Sequence, residues 1–346
     1  MKNTLWKLLL KFGPKRTFAR TGKPHLLIVS TTGLGDSLWG TPALKALRKQ
    51  FPQGYIALLT SPIGEQLYRN NPNLDEIFVL KNRSLLSAFK LLPKLRMREF
   101  DTAYIFHTSQ RPILPLVTLA GPSTIIGTQG INKGLDFLLT SSFPLSHQHE
   151  IERRLELVDA KGEDPKMELF LTEEENQASL SLLPDLPLVI GMHPGAKDKF
   201  KQWNPKYFIE LGRKLVNEKG AKILVTGDPS EKVLADEIAS HIPGATSLAG
   251  KLPVRVTAAL IEKLDLYITN DTGPMHLSFA MGTPTFALFS PTDPTLCGPY
   301  QINHGMIIQK PKSCTPCIRK LCASPFCMEQ ISPQTVYEAI DAHLQA

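Results

Sequence analysis

Short apolar runs recur along the chain, each ending in Gly, Asn, Asp, Ser or Thr and followed by a segment whose apolar residues fall three and four apart. Runs of this kind, without alternation, suit parallel strands buried on both faces, and the spaced segments suit helices. The pattern predicts strands at His25–Ser30, Tyr55–Thr60, Glu76–Leu80, Ala103–Phe106 and Thr124–Gly127. Helices are expected between them, from about Ser37 to Gln50, at Pro62–Asn70, Arg111–Ala120 and Glu150–Lys161. A second alternation begins at Leu188–Met192 and continues with helix Pro205–Lys219, strand Lys222–Thr226, helices Ser230–His241 and Val254–Lys263, and strand Leu266–Thr269. It closes with Thr285–Phe289, Met306–Gln309 and a helix at Ser332–Leu344. Strands alternating with helices predict an α/β fold with parallel sheets wound on both faces. Between the two series, Pro184, Pro187 and the acidic run Glu173–Glu175 mark a linker. The expected domains are therefore 23–165 and 188–331, joined by a linker at 166–187, preceded by a segment 1–22 and followed by a helix in 332–346.

Composition narrows the class. The 346 residues are 42% hydrophobic and 21% charged, as in an ordinary globular protein of two domains. The net charge of +7 is uneven: residues 1–100 hold 17 Lys and Arg against 5 Asp and Glu. An excess of that size suits an anionic partner, a membrane surface or a phosphorylated acceptor. No recognition-helix, zinc-finger or RNP-type pattern accompanies it, so nucleic acid is not expected. No segment reaches the roughly 20 apolar residues needed to span a bilayer. Residues 1–22 mix Leu5, Trp6, Leu8, Leu9, Leu10 and Phe12 with Lys2, Lys7, Lys11, Lys15 and Arg16. Lys7 interrupts any signal-peptide core, so the expected location is cytoplasmic. The segment reads either as a basic amphipathic helix lying on the inner membrane face or as a frayed terminal helix. The basic stretch Lys81–Arg98 reads either as a solvated helical face or as a lipid-phosphate site.

The candidate chemistry lies in the loops after strands. Asn270-Asp-Thr-Gly273 are turn and cap residues, Pro274 suits a first helical turn, and Gly282 with Pro284 ends the helix. A helix N-terminus at the end of a strand presents N–H groups and a dipole suited to phosphate. Asp271 would repel that phosphate, so it either faces a sugar hydroxyl or caps the helix. After the first strand, Gly33 and Gly35 let a ligand come close, but Leu38 stands at the third position of G-x-G-x-x-G and no acidic residue ends the next strand. Dinucleotide binding is not expected, and no Walker A loop is present. Asp36 is a candidate general base or a bare helix cap. Lys197, Lys199 and Lys201 follow Gly195, and any one can reach a pyrophosphate as a flexible charge. His276 is either packed or a donor to a phosphate or sugar oxygen. Cys314, Cys317, Cys322 and Cys327 have the count for a closed, structural four-thiolate metal site, with a packed metal-free cluster as the favoured reading. No H-E-x-x-H or G-x-S-x-G occurs, which removes the zincin and α/β-hydrolase classes.

Together these residues resemble a known family. Gly35-Asp-Ser-Leu-Trp-Gly-Thr-Pro-Ala-Leu44, His193-Pro-Gly-Ala196 with Lys201-Gln-Trp203, and Asn270-Asp-Thr-Gly-Pro-Met-His276 with Phe289-Ser-Pro-Thr-Asp-Pro294 resemble, in order, the blocks of glycosyltransferase family 9, the ADP-heptose:lipopolysaccharide heptosyltransferases. Ser290 departs from the glycine common in the last block. The resemblance implies a GT-B architecture, two Rossmann-like domains facing each other across a cleft, and an inverting transfer requiring no cofactor or metal. It implies ADP-heptose as donor and the inner core of lipopolysaccharide as acceptor. It gives Asp36 the role of base and Lys201 that of neutralising the diphosphate. Gly195, Ala196, Leu252, Asp271, Thr272, Gly273 and His276 are then donor-side residues, with Leu252 against adenine and Asp271 on heptose hydroxyls. Gly33, Gly35 and Thr41 form the acceptor-side loop. The alternatives are a relative using a protein acceptor or another nucleotide sugar, and a binding module of the same fold without turnover.

Overall fold

The computed structural model describes residues 23–81, 85–312, 314, 317–318, 321–322 and 326–345, so the basic amphipathic segment 1–22 lies outside the described residues. The chain divides into two units, residues 1–170 and 171–346.

In unit 1 the strands are β1 (His25–Ser30), β2 (Tyr55–Thr60), β3 (Glu76–Val79), β4 (Thr102–His107), β5 (Thr124–Thr128) and β6 (Ser141–Phe143). The helices are α1 (Leu34–Leu38), α2 (Thr41–Gln50), α3 (Pro62–Tyr68), α4 (Leu85–Met97), α5 (Ile113–Ala120) and α6 (Glu150–Leu157). The sheet runs β3-β2-β1-β4-β5-β6, and every neighbouring pair is parallel. Leu27 and Val29, Ala57 and Leu59, and Ala103 and Ile105 alternate onto one face, where they join Ile113, Leu116 and Val117 of α5 in one core. The helix expected after β1 is broken in two. At Gly40 a side chain would collide with the Tyr68 hydroxyl and Phe106, so only glycine allows this approach. Of the basic stretch, Arg98 pairs with Glu76 at 2.6 Å and Arg96 donates to Leu119 O, while Lys90 and Lys94 are exposed.

In unit 2 the strands are β7 (Val189–His193), β8 (Lys222–Val225), β9 (Thr246–Ser247), β10 (Leu266–Asn270), β11 (Thr285–Phe289) and β12 (Gly305–Gln309). The helices are α7 (Glu173–Leu180), α8 (Pro205–Lys219), α9 (Lys232–Ser240), α10 (Val254–Glu262), α11 (Gly273–Met281), α12 (Pro294–Cys297), α13 (Phe326–Glu329) and α14 (Pro333–Gln345). The order β12-β11-β10-β7-β8-β9 repeats that of unit 1, again all parallel. Ile190, Met192, Ile223, Val225, Ile268 and Leu288 pack with Phe208, Leu211 and Leu215 of α8 and with Val336 and Ile340 of α14.

The segment 166–187, read as a linker, is partly helical. Thr172 and Glu175 form a reciprocal capping box at the start of α7. Glu175 then takes a forked pair of bonds from the buried Arg255 of α10, at 2.5 and 2.8 Å. The acidic run is thus a helix start docked on unit 2. No described helix is long and apolar enough to cross a membrane.

Candidate active site

Both sheets have one point where neighbouring strands leave in opposite directions, between β1 and β4 and between β7 and β10. Loops diverge there at the carboxyl edge and leave a crevice in which ligands of doubly wound folds bind. The residues with chemistry to offer lie on those loops.

In unit 1, β1 pairs with β4 through an irregularity at Val29/Ser30 that sets Ser30 beside His107. Thr31 N–H then donates to His107 O, and Ser109 N–H donates to the Thr31 hydroxyl at 3.0 Å. Beyond them Gly33 is the N-cap of α1, and Asp36 lies in its first turn, so Asp36 does not cap the helix. Its Oδ1 is 3.4 Å from Arg154 Nη2 of α6. Gly33 has φ −84°, so its conformational freedom is not used. Burial holds the His107 imidazole below its ordinary pKa, opposed by the Asp36 charge. Thr41, expected on the acceptor-side loop, is fully buried instead. Its hydroxyl donates to Leu38 O at 2.8 Å and accepts from Glu168 N–H at 3.0 Å, which braces the start of α2.

In unit 2 one buried side chain assembles the site. Asn270, at the end of β10, donates through Nδ2 to Pro194 O at 2.8 Å and accepts through Oδ1 from Trp203 N–H at 3.0 Å. It thereby ties the loop after β7 and the Lys201-Gln-Trp203 segment to the loop after β10. Trp203 is anchored by Nε1–H to Ile331 O at 2.8 Å, and Gln202 donates to Ala196 O at 2.8 Å. With the two residues that follow it pinned, Lys201 reaches Asp271: Nζ to Oδ2 is 2.6 Å, with side-chain exposures of 20% and 5%. Lys197 and Lys199 are exposed on the same loop, so Lys201 is the lysine brought to the carboxylate. The Thr292 hydroxyl donates to the same Oδ2 at 2.5 Å. Asp271 therefore serves as an ion-pair partner, and the N-cap of α11 is Thr272, whose side chain makes no capping bond. Thr272, Gly273 and Pro274 leave the first turn of α11 partly open. His276, one turn on, is buried edge-on to Phe279 with ring centroids 6.2 Å apart. Leu252 is half-buried on the turn before α10.

The loop after β7 is backed by groups that, His193 apart, the sequence pattern did not single out. A side chain at Gly195 would collide with the Glu231 carboxylate. Glu231 is capped onto Asp228 N–H at 2.9 Å, and burial raises its pKa. His193 Nδ1 is 3.2 Å from the Thr226 hydroxyl, which meets the Tyr267 hydroxyl at 2.7 Å. Burial lowers the His193 pKa to about 4, so the ring is neutral beside Glu231 Oε2 at 3.6 Å. The only sequence cue to Glu231 is the Asp228-x-x-Glu231 capping pattern, which any helix start can carry.

The four cysteines of the carboxyl-terminal segment range from exposed Cys314 to buried Cys327 on α13. Among the described residues, no group of three or more His, Cys, Asp or Glu is arranged to hold a metal ion.

An ammonium held at 2.6 Å from a buried carboxylate, next to a helix N-terminus, is chemically suited to an anion such as a diphosphate. The chain is 27% identical over 322 residues to lipooligosaccharide heptosyltransferase 2 of Campylobacter jejuni, covering 89% of this chain and 96% of that protein. The crystal structure of a glycosyl transferase family 9 protein from Veillonella parvula matches with a TM-score of 0.82 at 21% identity, covering 94% of this chain and 98% of that one. The structure of E. coli ADP-heptose LPS heptosyltransferase II matches with a TM-score of 0.76 at 22% identity, covering 92% and 98%. These last two share the fold, the GT-B architecture. The model of glycosyltransferase family 9 (heptosyltransferase) matches residues 88–327, which take in the loops after β7 and β10, and the chain accordingly belongs to that family of glycosyl-transferring enzymes.

Proposed function

We propose that this chain transfers heptose from ADP-heptose to the inner core of lipopolysaccharide, with inversion at the anomeric carbon. The observation that carries the reading is the Lys201–Asp271 pair at the switch point of unit 2, beside the open first turn of α11. Leaving-group departure builds negative charge on the diphosphate, and a lysine with a helix N-terminus stabilises it. Thr272 and Gly273 supply N–H groups to the phosphates. Asp271 Oδ2 is taken by Lys201 and Thr292, so its Oδ1 accepts from heptose hydroxyls. Glu231, a carboxylate against Gly195, is suited to hydroxyls for the same reason. Asp36 takes the proton of the acceptor hydroxyl. The O–H bond breaks as that oxygen's electron pair forms the new glycosidic bond, and the C–O bond to the diphosphate breaks with its pair leaving on ADP.

The names of similar proteins support donor and acceptor, since one is an ADP-heptose LPS heptosyltransferase and another a lipooligosaccharide heptosyltransferase. The basic first hundred residues suit a phosphorylated, lipid-anchored acceptor met at the cytoplasmic membrane face. The test is incubation with ADP-heptose and heptose-deficient lipopolysaccharide, following ADP release and product mass. Stoichiometric ADP and a heptose mass increment are expected. Transfer to a polypeptide, turnover only with another nucleotide sugar, or binding without turnover each overturns the reading. Asp36→Asn is expected to leave only a small residual rate of transfer with donor binding intact, and a retained rate sinks Asp36 as base.

A further inference from the structure

Behind Asp36 lies a buried cation. Arg154 has no exposed side-chain surface, whereas the Asp36 side chain is 26% exposed. The guanidinium is fixed from three sides. Its Nη1 donates to Glu150 O and to Glu150 Oε2, both at 2.7 Å. Glu150 is held in turn by Arg153 at 2.8 Å. The Trp39 ring lies against the guanidinium, its centroid 5.4 Å away. The remaining fork, Nη2, points to Asp36 Oδ1 at 3.4 Å. Asp36 Oδ2 is turned to the other side, 4.0 Å from where a β-carbon on Gly33 would stand.

A buried charge is retained only where partners offset its desolvation, and Glu150 alone would be partner enough. The second arm is the informative one. A planar guanidinium can grip two carboxylates at fixed angles, which an ammonium cannot. We propose that Arg154, locked by Glu150, is the positioning residue for Asp36: it clamps Oδ1 and leaves Oδ2, on the open Gly33 side, as the oxygen that receives the acceptor proton. This rests on Asp36 being the base.

The test is a double-mutant cycle in the transfer assay, with folding checked by thermal unfolding and donor affinity by calorimetry. Arg154→Met is expected to lower kcat by roughly ten- to a hundredfold, the penalty of a misplaced catalytic group. KM for ADP-heptose and donor affinity stay unchanged, and Arg154→Lys regains part of the rate. In the Asp36→Asn background the residual rate falls no further on adding Arg154→Met. An equal loss in both backgrounds, or a folded Arg154→Met with full kcat, overturns the proposal. If Arg154→Met does not fold, Glu150→Gln decides: lowered kcat at unchanged KM supports the clamp, and full kcat removes it. A retained rate in Asp36→Asn alone instead defeats the base assignment, a result distinct from either.

Discussion

Replacing Lys201 by methionine separates its two proposed tasks, pairing with Asp271 and stabilising the leaving diphosphate. The pair is close, 2.6 Å, and Asp271 is only 5% exposed, so the variant strands a carboxylate with the Thr292 hydroxyl as its remaining partner. Breaking a fully buried pair from one side costs about 3–5 kcal/mol. Lys201 is 20% exposed, and water can enter the space it leaves, so about 2 kcal/mol is the expected loss. For a unit of this size that is a fall in Tm of roughly 4–8 °C. Adding Asp271→Asn removes the stranded charge and restores more than half of the loss. Catalysis loses more. Removing one preorganised donor from a developing anion costs roughly 10²–10³ in kcat, about 2.7–4 kcal/mol. The assay is ADP release at saturating acceptor, alongside scanning calorimetry of the same preparations. A variant that loses the stability but stays within tenfold of the parent in kcat refutes the argument. Lys201 would then be a structural partner only, and exposed Lys197 or Lys199 would be the candidate for the diphosphate.

Other expected outcomes test the frame around the site. His193 is neutral when folded, with a pKa of about 4 against about 6.5 unfolded, so the unfolded chain binds the extra proton between those values. Its contribution is fully present above pH 6.5 and is lost as pH falls towards 4, by about 3 kcal/mol, and His193→Asn should flatten the Tm-versus-pH curve in that window. Gly40→Ala drives a methyl into Tyr68 and Phe106 and should cost about 1–3 kcal/mol in urea unfolding. Arg255→Met leaves Glu175 without its forked partner and should cost about 3 kcal/mol, with hydrogen exchange rising first over 173–180.

Strands buried on both faces must be apolar throughout, and loops at a carboxyl edge must turn sharply. Strand β1 and the β10–α11 unit therefore declare themselves in sequence, and so do the strand-end positions of Asp36, Lys201 and Asp271, whereas the first residues of α1 read as loop. Elements held by distant partners do not. Helix α7 is polar along its length and exists through its capping box and an arginine 80 residues away. Strands β6 and β9 have three and two residues, too few for any period. The break at Gly40 depends on Tyr68, from another helix. Asn270 looks like any turn residue until its amide is seen to join loops 67 and 76 residues away.

The same strand order occurs twice, yet the two switch points carry opposite charges on one electrostatic plan. In unit 1 the outer group is a carboxylate, Asp36, 26% exposed, backed by a cation with no exposed surface, Arg154. In unit 2 the outer group is an ammonium, Lys201, 20% exposed, backed by a carboxylate at 5%, Asp271. Each buried counterion has a second holder: Glu150 for Arg154, Thr292 for Asp271. A flexible side chain at the surface loses entropy when it is ordered, and a surface ion pair returns little in exchange. Burying the counterion and fixing it by a further bond shifts that cost onto the fold and leaves the outer group oriented before substrate arrives. On the proposed roles, which sign faces outward follows from the task, a proton to be removed in one unit and a departing diphosphate to be stabilised in the other. The arrangement also explains why Arg154 escapes sequence reading. Unlike Asp36 and Lys201, a buried counterion need not sit on a strand-end loop, and α6 supplies this one from 118 residues downstream.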